Sequence, residues 1–189
     1  MKKSLTLLFV SPLLFATSAF AQHQKLTIDP QASEVAFTLG GNEHATRGTF
    51  HVQSGSIDFD PSATKISGSV VVAAGSGKTG NDSRDKKMIN TVLEAAHFAD
   101  VSFVPQSFDG KLSLAGDSTI NVTGVFTLHG ASHPLTVPMQ VHIDGTQCTT
   151  KTHFVVPYVS WGLKDPSVFI LKVAKEVDID LTLVGQLSK

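Results

Sequence analysis

The chain carries eight histidines, the side chains here most able to hold a metal, and two pairs stand near turns. His142 and His153 share the outward face of one expected hairpin, but its register sets them about six residues apart, roughly 20 Å at the usual strand rise. That is too far for one ion. His129 and His133 lie across the preceding turn, where two imidazoles without Cys or carboxylate leave a zinc site short of ligands. Both pairs read as solvated, and no metal is expected. Gly75-Ser76-Gly77-Lys78-Thr79-Gly80 resembles a phosphate-binding loop, yet only Ser76 separates Gly75 from Gly77-Lys78-Thr79, so the spacing that cradles phosphate is absent. No Gly-x-Ser-x-Gly elbow exposes a serine nucleophile. Asp58 and Asp60 alternate with Ile57 and Phe59, and Asp178 and Asp180 with Val177 and Ile179. This sets both pairs on solvated strand faces rather than in an acid/base dyad. Cys148 stands between Gln147 and Thr149, with no cation to lower its pKa, and is expected to be buried and inert. The sequence therefore offers neither an enzyme's machinery nor a cofactor motif.

Composition narrows the class further. With 189 residues, 41% hydrophobic and 16% charged, the chain suits one globular domain rather than a disordered or multidomain protein. A formal charge of −1 and the lack of a Lys/Arg run argue against nucleic acid as a partner. Residues 1–21 read as a secretory signal peptide: Met1-Lys2-Lys3, a mostly apolar run from Ser4 to Phe15, then the small-x-small Ala19-Phe20-Ala21. The run is broken by Ser11-Pro12 and falls short of the roughly 20 residues that span a bilayer. Its removal, with Lys2 and Lys3, leaves residues 22–189 as a 168-residue domain of charge −3. A periplasmic or secreted protein without stable membrane insertion is expected.

Strands must position whatever site exists, because period-two alternation dominates. Eight segments are expected, centred on Val35–Leu39, Phe50–Phe59, Ile66–Val72, Val101–Phe103, Ile120–Leu128, Leu135–Ile143, Cys148–Val156 and Val177–Leu183, with a bulge at Ser54-Gly55. Asp109-Gly110, His129-Gly130 and Asp144-Gly145 supply turns, which makes consecutive strands antiparallel. A two-residue Asp144-Gly145 turn would set Ile143 opposite Thr146, Val141 opposite Cys148, Val137 opposite Thr152 and Leu135 opposite Phe154. The same demand on the preceding hairpin pairs Leu128 with Leu135 and Phe126 with Val137, leaving Gly130–His133 as its loop. One stretch is helical: Asn81-Asp82-Ser83 can cap it, and Met88, Ile89, Val92, Leu93 and Ala96 follow at helical spacing. A helix over Arg84–His97 is expected after a flexible Gly75–Gly80 loop. Tyr158–Lys175 is irregular.

Each strand has one apolar face, and eight such strands bury those faces best by closing on themselves. The expected fold is all-β: an eight-stranded antiparallel lipocalin-like barrel with one flanking or capping α-helix. Its inner wall would be apolar. Such a wall either packs shut or accepts an apolar molecule, and composition leaves both open.

Gly48-Thr49-Phe50 with Ser54-Gly55 and Asp58-Phe59-Asp60, then Asn81-Asp82-Ser83-Arg84-Asp85, then Phe98 with Val101-Ser102-Phe103 form an ordered set of motifs. It continues through Gly124-Val125-Phe126-Thr127-Leu128-His129-Gly130 to Pro134-Leu135-Thr136-Val137. In these the mature chain resembles the YceI family. The resemblance implies an exported, lipocalin-like barrel that encloses a polyisoprenoid or similar long-chain amphiphile; it brings no catalytic residues. On that implication Phe37, Phe50, Phe59, Phe103, Phe126, Phe154 and Met139 are the expected lining. Val52, Val70, Val122, Val137 and Val141 join them, with Asn81, Arg84 and Trp161 at the headgroup or mouth; Arg84 pairing with a carboxylate is an equal reading. The alternative is a closed-core exported interaction module, or homodimer, that works without a small-molecule ligand.

Overall fold

The structure, a computed structural model, describes residues 23–188; the expected leader lies outside them. Ten strands form one sheet: β1 (Gln24–Ile28), β2 (Glu34–Leu39), β3 (Thr46–Phe50), β4 (Val52–Asp60), β5 (Lys65–Ala73), β6 (Asp100–Asp109), β7 (Gly116–Leu128), β8 (Ala131–Asp144), β9 (Gln147–Val156) and β10 (Val177–Ser188). The sheet runs β1-β4-β5-β6-β7-β8-β9-β10 and closes through β1–β10, so the ring has eight antiparallel strands. The two strands beyond eight extend this ring at one end. β10 pairs with β1 over Gly185–Ser188 and with β2 over Asp178–Thr182, so β1 and β2 lie end to end along one neighbour. β3 and β4 repeat this on the other side, pairing with β2 and β1 respectively.

Both breaks are held locally. Between β1 and β2, Asp29 N–H donates to the Val184 carbonyl at 2.8 Å, and Ser33 Oγ takes the Val184 N–H at 3.0 Å. The expected single segment over Phe50–Phe59 is divided at His51, whose N–H bonds Ser76 Oγ at 2.8 Å and whose carbonyl takes the Ala73 N–H. β1 is not among the eight expected segments, because Gln24-Lys25-Leu26-Thr27-Ile28 offers only two apolar residues to mark it. A register shift between Val52 and Ser54 lies beside the expected bulge.

Two expected registers need correction. At the second hairpin the turn is Gly145-Thr146 rather than Asp144-Gly145: Asp144 stays in the ladder opposite Gln147, Ile143 faces Cys148, and Val141 faces Thr150. Gly145, at φ +60°, takes the first position of this turn rather than the second. A slip of two preserves the inward face, so Val141, Ile143 and Cys148 are still buried together. At the first hairpin the loop is not Gly130–His133. His129 and Gly130 alone turn the chain at φ +52° and +75°, Leu128 pairs with Ala131, and Phe126 pairs with His133. A tight two-residue turn with both residues left-handed follows the twist of the strands, and this outweighs matching Leu with Leu.

The helix is shorter than its periodicity predicts. α1 covers Asp82–Lys87 and passes into one π turn over Met88–Val92, so the expected Arg84–His97 helix ends early. It starts at Asp82, two residues before the expected Arg84, and Asn81, one of the expected caps, accepts the Arg84 N–H on its Oδ1 at 3.0 Å. The Gly75–Gly80 approach is not a free loop. It opens with a 3₁₀ turn at Ala74–Ser76, and Lys78 exchanges two backbone hydrogen bonds of 2.9 Å with Thr49 on β3. That approach explains Gly48, where a Cβ would lie 2.3 Å from the Lys78 carbonyl oxygen.

Candidate ligand-binding site

Pairing along the ring is uneven. Between β8 and β9 it stops at Gln140–Lys151, leaving the first half of β8 unpaired with β9. β5 pairs with β4 as far as Val52–Val72 but not with β3, which bridges instead from Thr49 to Lys78, next to the Thr79 that α1 holds through Arg84 and Asp85. Both seams open the same end. On the unpaired half of β8, His133 stacks with Trp161, the ring centroids 3.9 Å apart and the planes nearly parallel at 5°, and the Trp161 ring lies 5.8 Å from that of Phe126.

The interior divides accordingly. At the paired end Val122, Ile143 and Cys148 are at most 2% exposed and pack with Leu26, Ile28, Ile57, Phe108 and Leu183. Burial pushes the Cys148 thiol up to about 11, so it stays a neutral core group. At the splayed end a cavity of about 400 Å³ remains, within the range of small-molecule sites. Its wall is apolar: Phe37, Leu39, Phe50, Val72, Met88, Val92, Leu93, Val101, Phe126, Leu128, Phe154, Val156, Leu163, Val177 and Ile179. A fully packed interior, which composition left open, is not what forms here.

Charge sits at the rim. Arg84, Lys87 and Lys172 line the cavity against one acidic residue, Glu43, and none of the three cations forms an ion pair among the described residues. Arg84 donates from Nε to Thr79 Oγ1 at 2.8 Å and from Nη2 to the Thr79 carbonyl at 2.9 Å. Guanidinium has five N–H donors, so three are uncommitted. Asp85, buried, holds the same threonine by accepting its N–H at 2.9 Å and its hydroxyl. Arg84 and Asp85 thus converge on Thr79 without pairing with each other. Tyr158, also on the wall, donates its hydroxyl to the Ala174 carbonyl at 2.8 Å and closes the Tyr158–Lys175 segment over the opening. Burial, with Asp165 nearby, pushes the Tyr158 phenol up to about 12, so it remains a donor.

Five of the residues expected at the site meet on this wall: Phe37, Phe50, Phe126, Phe154 and Arg84. Val52, Phe59, Val70, Val122, Val137 and Val141 lie in the packed core, with Phe103 and Met139 against it. Asn81 caps α1, and Trp161 stacks on His133 without lining the cavity. Of the histidines weighed for metal, His129 Nε2 meets Glu94 Oε2 at 2.6 Å and His142 Nδ1 meets Asp117 Oδ1 at 2.7 Å. His153 bridges Asp178 and Asp180 on the outer face. The wall also holds residues that sequence patterning does not mark for it: Met88 and Val92, at i, i+4 spacing, and Leu163, Val168, Leu171 and Lys172 of the irregular Tyr158–Lys175 segment.

A closed antiparallel barrel, packed at one end and hollow at the other, defines the lipocalin-like class. Residues 26–185 match the YceI-like domain, and the chain belongs to that family. It is 29% identical to a UPF0312 protein of Pseudomonas syringae pv. tomato across the full length of both. Among solved structures it is similar to Burkholderia cenocepacia BcnA, at 23% identity and a TM-score of 0.69 over 83% of this chain and 98% of that one. It is also similar to a polyisoprenoid-binding domain from Saccharophagus degradans implicated in plant cell wall breakdown. There the identity is 16% and the TM-score 0.65, over 86% of this chain and 98% of the other.

Proposed function

We propose that this protein is an exported carrier that sequesters a polyisoprenoid or similar long-chain amphiphile, with the chain in the barrel and the headgroup at the rim. The apolar cavity of about 400 Å³ under a cationic rim is the observation that carries this reading. Each buried CH₂ contributes about 0.8 kcal/mol, so a chain of ten or more carbons brings roughly 8 kcal/mol before the freedom lost on binding is subtracted. The wall therefore selects for length and apolarity. Arg84, with three free donors, and Lys172 suit a phosphate, carboxylate or hydroxyl headgroup. The likeness in fold to the polyisoprenoid-binding domain of Saccharophagus degradans favours a prenyl chain over other amphiphiles. Export adds purpose, since a chain insoluble in water needs a shield to cross an aqueous compartment.

Mass spectrometry of organic extracts from natively purified protein tests this. A co-purifying prenyl or acyl lipid, displaced by a fluorescent prenyl analogue, is the expected result. An empty protein that takes up no analogue would leave the interaction-module alternative in its place.

A further inference from the structure

We propose that the Val168–Leu171 loop is a membrane-docking element that seats the mouth of the barrel on an anionic lipid bilayer. Four consecutive apolar residues face water here: Val168 at 49% exposure, Phe169 at 95%, Ile170 at 70% and Leu171 at 50%. Scattered exposed apolar side chains are ordinary, but a contiguous run held in water marks a contact surface. This run is held. The Val168 N–H bonds the Leu171 carbonyl at 2.9 Å and closes the turn. Asn42, from the β2–β3 loop, ties it down three times: its Nδ2 donates to the Ile170 carbonyl at 3.1 Å, its Oδ1 accepts the Lys172 N–H at 3.1 Å, and its own N–H bonds the Lys172 carbonyl at 3.0 Å. Lys87 Nζ reaches across from α1 to the Pro166 carbonyl at 2.8 Å. The apolar tip is thus braced from both sides of the opening.

Charge and position select the occupant. The cavity rim presents Arg84, Lys87 and Lys172 against Glu43, a local excess of positive charge on a chain whose formal charge is −1. Asp165 is a further nearby acid, its carboxylate held by the Ser167 N–H at 2.8 Å. An apolar tip beside unpaired cations is the pattern that binds an anionic membrane interface, with aromatic and aliphatic side chains in the headgroup layer and lysines on the lipid charge. A second copy would meet like charge at the same rim. Val168 and Leu171 also line the cavity, so docking this loop would join the lumen to the bilayer. Its use in loading or unloading a chain rests on the carrier reading above; the docking itself does not.

Co-sedimentation with phosphatidylglycerol-containing vesicles, against pure phosphatidylcholine, tests the proposal, using wild type and the Phe169→Ser/Ile170→Ser double variant. Neither replaced residue is on the cavity wall. Wild type should sediment with the anionic vesicles, less so as salt is raised, and the double variant should lose about tenfold or more in partitioning. Lys172→Gln should weaken binding to anionic vesicles and flatten the salt dependence. Failure of wild type to bind either vesicle, equal binding by the double variant, or self-association abolished by that variant without vesicle binding would each overturn docking. Uptake of a soluble prenyl analogue is measured in parallel: uptake without vesicle binding defeats docking alone, and vesicle binding without uptake defeats the carrier reading alone.

Discussion

The two ends of this barrel are built from the same apolar residues and end up in different states. At the end turned by Gly145-Thr146, β1 sits between β4 and β10, the ring is continuous, and Val122, Ile143 and Cys148 close the interior. At the other end β8 parts from β9 and β3 from β5, and Phe37, Phe126 and Phe154 stand around a cavity instead of meeting across it. An eight-stranded ring is just narrow enough for side chains to fill, so losing two neighbour pairings at one end leaves room they cannot fill. Hollowness follows from backbone pairing, not from a change in the residues of the wall.

Stability should expose the difference most strongly. Ile143→Ala, in the packed end, is expected to cost about 2–5 kcal/mol in urea unfolding, whereas Leu39→Ala, on the cavity wall, should cost well under that because it enlarges a space already present. Equal losses would mean that the cavity is filled by the protein itself. Next in size is Asp85→Ala, which strands the Thr79 N–H and hydroxyl and should cost about 1–3 kcal/mol by the same assay. It should also weaken prenyl uptake, since Arg84 is held through Thr79.

Gly48→Val tests the β3–Lys78 seam. The added side chain strikes the Lys78 carbonyl and the Phe37 ring, and a loss of about 1–3 kcal/mol with faster amide exchange at Lys78 is expected. The last effect appears only in alkali. Cys148 ionises near 9 when unfolded and about 11 when folded. The folded state therefore holds its proton longer, and this contribution is complete below pH 9 and lost as pH rises toward 11. Urea stability should decline over that window, and Cys148→Ala should delay the onset to about pH 10, where the Tyr158 phenol, raised from 10 to about 12, begins to contribute. At about pH 8 a thiol reagent should label Cys148 only on unfolding.

Alternation was enough to read the barrel, because an inward face is a local property of each strand. Phe37, Phe126 and Phe154 were found that way, and so were Val122, Val137 and Met139, yet the first three line the cavity and the last three lie in or against the packed core. Height along the barrel depends on where pairing stops, which is decided by turns two residues long and by which residue takes positive φ. His129-Gly130 and Gly145-Thr146 each shifted a hairpin register while leaving its faces intact. The Tyr158–Lys175 segment carries no periodicity, so Leu163, Val168 and Leu171 gave no signal of their place at the opening.

A titration of a fluorescent prenyl analogue into two tryptophan variants tests the central claim. Leu39→Trp puts bulk into the hollow end, and Met139→Trp puts the same bulk into the packed end, away from the cavity wall. Leu39→Trp should lose about tenfold or more in affinity while remaining folded. Met139→Trp should keep wild-type affinity despite a stability loss of about 1–3 kcal/mol. Affinity lost in Met139→Trp and kept in Leu39→Trp would contradict it.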